Sequence, residues 1–264
     1  MIELFTYIGL GVAAGLLAGL LGVGGGIVIV PMLTVTFAAQ HIPQTHIQHL
    51  ALGTSLATIV FTSIASLRAH HARGAVDWQT FRRITPGILF GTFSGSWFAA
   101  ALSGRFLKIF FIIFTFIVAW QMLSSALPKA SRQIPGVCGL FATGSVIGGI
   151  SSLVGIGGGS MSVPFLIWCN TEARKAIGTS AAIGFPIALS GAAGYIVNGL
   201  KISGLPPYSL GYIYLPALAG IAVTSYLTAP LGAKLAHNLP ISKLKKGFAV
   251  LLILTGSKML YGLL

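Results

Sequence analysis

Residues 20–33 read LLGVGGGIVIVPML, an apolar run that carries Gly22, Gly24, Gly25 and Gly26 in its middle and Pro31 near its end. Glycine and proline are the poorest helix formers, so this first hydrophobic segment is interrupted where a simple membrane helix would run on. The pattern returns 133 positions later as LVGIGGGSMSVPFL, residues 153–166, with eight of the fourteen positions identical. In a chain of 264 residues that displacement is half the length, the mark of an internal duplication.

The duplication extends beyond the glycines. Gly53-Thr54-Ser55 answers Gly178-Thr179-Ser180, Pro86 answers Pro216, and Met122-Leu123 answers Met259-Leu260. Repeat 1 is expected over about 5–124 and repeat 2 over about 136–263, within one membrane domain covering 1–264.

Composition sets the class. Charged residues make up 7% of the chain and apolar ones 55%, with a mean hydropathy of +0.91, against about 25% charged in soluble domains. The sequence therefore reads as an all-α polytopic membrane protein embedded in a lipid bilayer. The net charge of +13 sits in short connectors without aromatic interleaving or a basic face, which excludes nucleic acid as the partner. Residues 5–21 lack the basic leader of a signal peptide and have a twin near residue 140, so they are expected to remain in the mature protein. Cys138 and Cys169 form no CxxC and neighbour no histidine; no metal site, cofactor or catalytic residue is expected.

Apolar runs fall at 5–21, 27–39, 50–67, 84–101 and 107–124, then at 136–154, 160–169, 177–199, 210–233 and 247–263. Runs 27–39 and 160–169 are short for a crossing, which needs about 20 residues. Each either extends the preceding run as one broken span or folds back on it as a hairpin. Charge chooses between the two. With hairpins each half crosses three further times, and connectors 68–83, 125–135, 170–176 and 234–246 share one side with 12 of the 16 basic residues. With broken spans the basic residues divide 8 and 8. The positive-inside rule favours hairpins, hence two inverted-topology repeats, each a broken hairpin helix plus three transmembrane helices, with both termini outside the cytoplasm of a cell whose inner, plasma membrane holds the chain. Inverted repeats are characteristic of secondary transporters, whose sites lie between the repeats at discontinuous helices.

The glycines have two readings. Gly11, Gly15, Gly19 and Gly22, matched by Gly144, Gly148, Ser152 and Gly155, follow small-xxx-small spacing and read as helix-packing positions. The triplets Gly24, Gly25, Gly26 and Gly157, Gly158, Gly159 exceed what packing needs. They are expected to break the helix and restart it at Ile27 and Ser160 with free N–H groups and a partial positive charge, an anion site. GVGGG is neither a Walker A loop nor G-x-G-x-x-G, which argues against nucleotide binding. Thr54, Ser55, Thr179 and Ser180 are read either as hydroxyl donors to the same site or as groups bonded back to their own helices. His49 and Arg174, each four residues ahead of its Gly-Thr-Ser glycine, are candidates for a charge on the pathway or for interfacial residues. The acids Glu3, Asp77 and Glu172 all lie outside the predicted spans, which favours an anion over a cation at the midplane.

GLLAGLLGVGGGIVIVPML (15–33), GGISSLVGIGGGSMSVPFL (148–166), HLALGTSL (49–56) and ARKAIGTS (173–180) together resemble the sulfite exporter TauE/SafE family of membrane permeases. The resemblance implies a permease, not an enzyme, that exports a small sulfur-containing anion such as sulfite or an organosulfonate. Uptake of the same anions, or a non-transporting role in a larger complex, is the alternative. The sequence permits a homodimer.

Overall fold

The computed structural model describes residues 2–21, 24–124, 131–238 and 241–263; Gly22 and part of the connector 125–135 lie outside them. Among the described residues the chain forms ten helices and one two-stranded hairpin. In order these are α1 (Ile2–Leu21), α2 (Gly26–Ala39), α3 (Gln44–His71), α4 (Trp78–Ala101), α5 (Gly104–Leu123), α6 (Val137–Val154), α7 (Gly159–Trp168), α8 (Ala173–Gly199), β1 (Ser209–Leu210), β2 (Ile213–Tyr214), α9 (Leu215–Asn238) and α10 (Ile241–Tyr261). Five of them, α3, α5, α6, α8 and α9, are long and apolar enough to cross a membrane. Outward faces carry Phe90, Phe98, Trp120, Leu227 and Leu254, all more than half exposed. Such a surface suits hydrocarbon, not water.

Both short helices fold back. Were α2 a straight continuation of α1, Gly25 would lie about 16 Å from Ala14 at 1.5 Å per residue. Instead a Cβ on Gly25 would stand 2.6 Å from the Ala14 carbonyl oxygen. Gln40 at the end of α2 donates from Nε2 to the Tyr7 hydroxyl near the start of α1, at 3.0 Å. In the second half Trp168, the last residue of α7, accepts from the amides of Ser131 and Arg132 just ahead of α6. Its indole also donates to Ser131 Oγ at 3.0 Å.

Close helix crossings hold these hairpins. Gly11, Gly15 and Gly19 on α1 press against Ile221, Ser225 and Ala229 on α9, advancing together and therefore parallel. Gly87, Gly91 and Gly95 on α4 meet Phe141, Ser145 and Gly149 on α6 in the same way, and Gly144 and Gly148 of α6 face Ile84 and Ile88. Small residues let the two backbones approach where lipid offers no hydrophobic drive between helices. The innermost pair is α3 and α8, whose windows are mostly buried, whereas α5, α6 and α9 expose most of theirs.

Two expectations change. The run 210–233 does not start as helix: residues 209–214 make the β1–β2 hairpin and α9 begins at Leu215. Gly211 turns with φ 56°, a side chain there would strike the Ile196 backbone, and Tyr212 N donates to Tyr195 O at 3.2 Å. His70, which the sequence puts at the head of the basic connector 68–83, where a solvated side chain is expected, is 1% exposed with Nε2 3.2 Å from Gly19 O. It ties the end of α3 to the deep end of α1.

Asp77 starts α4. Its carboxylate accepts from the amides of Gln79 and Thr80 and from the Thr80 hydroxyl at 2.6 Å. Partial burial works to raise its pKa, but the Thr80 hydroxyl, the Thr80 and Gln79 amides and nearby Lys175 together hold it below the usual 3.8. The cap is therefore fully present above pH 3.8 and fades as pH falls through the lower folded value. Asp77→Ala is expected to cost about 1 kcal/mol at neutral pH, the deficit shrinking in acid, as read from thermal unfolding of the purified protein. Gly15→Val and Gly148→Val, which drive a side chain into Ser225 and Ile88, are each expected to cost about 1–3 kcal/mol in the same measurement. Gly9→Ala, inside α1 where nothing lies within 4 Å, is expected to raise stability by about 0.5–1 kcal/mol.

Candidate functional site

The two glycine triplets share a left-handed middle residue, although Gly24 is left-handed too, with φ 78°, and its counterpart Gly157 is not. Gly25 precedes α2 with φ 79° and ψ −11°, and Gly158 precedes α7 with φ 73° and ψ −6°. This left-handed backbone costs an L-residue roughly 1–2 kcal/mol. The carbonyl of Gly25 accepts from Val28 and Ile29, and that of Gly158 from Met161 and Ser162, so each turn closes the first turn of the helix that follows it. Both triplets are buried.

The turns lie against each other. A Cβ on Gly24 would stand 3.2 Å from Gly157 Cα, and one on Gly26 would run into the Gly155 carbonyl. Ile59 packs over Gly24 and Gly26, and Ile187 over Gly158. The structure thus brings Gly24, Gly25 and Gly26 together with Gly157, Gly158 and Gly159, and the starts of α2 and α7 with them.

The paired serines join this centre. Ser55 Oγ donates to Gly155 O across the two halves at 2.7 Å. Ser180 Oγ lies 2.7 Å from Ser162 Oγ, which also donates to Gly158 O at 3.0 Å. The threonines turn elsewhere. Thr54 Oγ1 accepts from Tyr214 N, immediately before α9, and Thr179 Oγ1 accepts from Asp77 N, immediately before α4, both at 2.9 Å. Their glycine neighbours follow suit: Gly53 abuts the Tyr212 carbonyl and Gly178 the Ala75 carbonyl. Neither bonds to its own helix through these contacts; each clamps the entry to the fourth helix of the opposite half.

His49 and Arg174 share a register but not an environment. His49 is 5% exposed, lies with Nε2 3.2 Å from Ala99 O and stacks on Tyr212 at 5.0 Å. Arg174 is exposed. Tyr212 leads on to Tyr195, whose hydroxyl donates to Ser152 O at 2.9 Å.

Ser151 and Ser160 were not singled out in the sequence. Both are buried beside the second turn, 0% and 6% exposed, and their hydroxyls have no hydrogen-bond partner. A Cβ on Gly158 would stand 3.3 Å from Ser151 Oγ. The available signal was a difference: 133 positions earlier stand Ala18 and Ile27. The centre thus presents two unpartnered hydroxyls beside the starts of two helices. Among the described residues no cluster of His, Cys, Asp or Glu suited to a metal occurs.

A family model described as sulfite exporter TauE/SafE matches residues 7–259. A probable membrane transporter protein of Haemophilus influenzae is 41% identical over 97% of this chain and 99% of its own length. Another from Methanocaldococcus jannaschii is 28% identical over 87% of this chain and 85% of its own. A third, from Bacillus subtilis, is 25% identical over 96% and 95%. No solved structure matches the chain. With a match along nearly its whole length and membrane-crossing helices to go with it, the chain belongs to the sulfite exporter TauE/SafE family of multi-pass membrane transporters and is not an enzyme.

Proposed function

We propose that this transporter is an anion permease that exports sulfite or an organosulfonate by alternating access between two inverted repeats, about 5–124 and 136–263. The observation that carries the anion is the meeting of two buried helix starts, α2 and α7, at turns with two unpartnered buried hydroxyls, Ser151 and Ser160. Helix N-termini concentrate partial positive charge and N–H donors, which favours an anion. Sulfur as the central atom rests on the family's description alone.

Inversion is supported by which ends share contacts. The start of α3 lies with the start of α5, through Gly104 and Thr45, and the start of α5 with the end of α10, through Lys108 and Gly262. The start of α8 lies with the start of α4, through Thr179 and Asp77. One hairpin then opens on the side where α3 begins, the other on the side where it ends. Packing obeys the same exchange: α1 pairs with α9 as α6 pairs with α4, and α3 touches α9 as α8 touches α4. By the basic connectors, both termini face away from the cytoplasm.

In this mechanism Gly24, Gly25, Gly26, Gly157, Gly158 and Gly159 supply backbone donors, and Ser55 and Ser180 release their present partners to the anion as the halves part. Thr54 and Thr179, read from the sequence as possible donors to the site, instead keep each half attached to the other while it rocks. His49 and Arg174 bear on the pathway from the starts of α3 and α8. A negative interior drives an anion outward by about 2.3 kcal/mol per charge per 100 mV, so a uniport suffices for export.

Proteoliposomes of the purified chain, loaded with sulfite, methanesulfonate, sulfate or a control cation under potentials of both signs, test the reading. Anion flux whose direction follows the potential is the expected result; a folded protein that moves no anion overturns it in favour of a component that works only with a partner. Gly25→Val and Gly158→Val are expected to abolish that flux while still inserting. Thr54→Val and Thr179→Val strand an amide and are each expected to cost about 1–3 kcal/mol in unfolding and to slow flux, whereas Thr54→Ser and Thr179→Ser keep the acceptor and most of the activity.

A further inference from the structure

A second polar site lies away from the glycine turns, at the end of the bundle where α3 and α5 begin and α10 ends. There a cavity of about 300 Å³ is lined by Thr34, Gln44, Gln48, Arg105, Lys108 and Gly262, with apolar neighbours. No carboxylate is among its described lining residues. We propose that it holds a tetrahedral oxyanion, either free in solution or as a lipid phosphate.

Three groups converge on that chemistry. Lys108 Nζ donates to Gly262 O at 2.8 Å, which leaves two of its three N–H groups for a ligand. Arg105 is exposed one residue into α5, at a helix start whose first turn Ser103 caps through the Phe106 amide. Both cations thus stand at the positive end of a 20-residue helix. The third group is Gln48, 3% exposed, whose Nε2 has no hydrogen-bond partner. Its Oε1 lies 3.4 Å from Thr34 Oγ1, which gives its single proton to Val30 O at an O···O distance of 2.8 Å. Turned the other way, the amide would bond Thr34 through nitrogen and leave its oxygen buried and unpartnered instead. In the orientation that leaves Nε2 free, an acceptor in the cavity satisfies it, and beside two cations that acceptor is an anion. None of the glycine-turn residues lines this cavity, so its occupancy does not require transport.

Lys108 itself reports the test. Purified protein in a zwitterionic detergent is acetylated with acetic anhydride, with sulfate titrated against gluconate at constant ionic strength, and labelling is quantified by mass spectrometry at Lys108 and at exposed Lys201. Sulfate is expected to slow Lys108 saturably, by about tenfold at roughly ten times the half-protecting concentration, and to leave Lys201 unaffected. Gln48→Leu and, at an exposed position that folding tolerates, Arg105→Gln are each expected to raise the half-protecting concentration about tenfold, equivalent to losing about 1.4 kcal/mol of binding. In nanodiscs without sulfate, protection by phosphatidylglycerol but not phosphatidylcholine identifies a lipid phosphate; protection by sulfate alone identifies a free anion. No slowing at Lys108, equal slowing at Lys201, or protection unchanged in both variants overturns the site. Protection without flux in proteoliposomes defeats only the permease reading, and flux without protection defeats only this one.

Discussion

Backbone groups inside a membrane must find partners within the protein, at a cost of several kcal/mol for each that does not. Two helices broken by glycine at the same depth meet this constraint by bonding to one another's surroundings. The Gly155 carbonyl, left over at the second turn, takes the Ser55 hydroxyl from the opposite half. The Gly25 and Gly158 carbonyls turn inward to close α2 and α7. Contact this close between Gly24 and Gly157, or between Gly26 and Gly155, is available only where no Cβ intervenes. The remaining architecture follows from keeping that contact in place. The glycine rows of α1 and α4 bring α9 and α6 to backbone distance, and α3 and α8 wrap the centre with their most buried faces.

Helix number, the short pair α2 and α7 and the packing role of Gly11, Gly15, Gly19, Gly144 and Gly148 were all legible in the sequence, because spacing and length carry them directly. Hairpins were legible through charge, since a helix that folds back changes which side every later connector occupies. What escaped reading depended on partners far apart in the chain. Nothing near Thr54 announces that its oxygen receives the amide of Tyr214, 160 residues on. His70 looked solvated because its neighbours are polar, yet the end of α1 covers it. The apolar run at 210–233 has helical composition, but Gly211 must pass the Ile196 backbone, and that approach selects an extended hairpin over a first helical turn.

The clamps made by Thr54 and Thr179 bear on how such a protein would move. Each ties one half's third helix to the first residues of the other half's fourth, and Gly53 and Gly178 bring the two backbones into contact beside them. One joint lies at Thr54 beside Tyr214 and the other at Thr179 beside Asp77, each one residue before the serine that joins the glycine centre. In the proposed rocking of the halves, both joints must hold while the angle across them changes. Side-chain hydroxyls suit the task because they accept an amide without fixing its direction as strictly as a helix does.

Duplication gave the halves the same plan, yet they are chemically unequal where it matters. Ser151 and Ser160 stand in the second half where the first has Ala18 and Ile27, and a buried histidine in the first answers an exposed arginine in the second. Two identical half-sites related by a two-fold axis would present a ligand with symmetric donors, which suits a symmetric ion. The extra hydroxyls lie on one side only, beside α7, and can therefore tell one end of a ligand from the other. An organosulfonate has a charged head and an organic tail; sulfite has a pyramidal face and a lone pair opposite it. Both are polar objects, and a centre with N–H groups on two sides and hydroxyls on one can orient either in the proposed site, whereas sulfate, with four equivalent oxygens, gains nothing from the asymmetry.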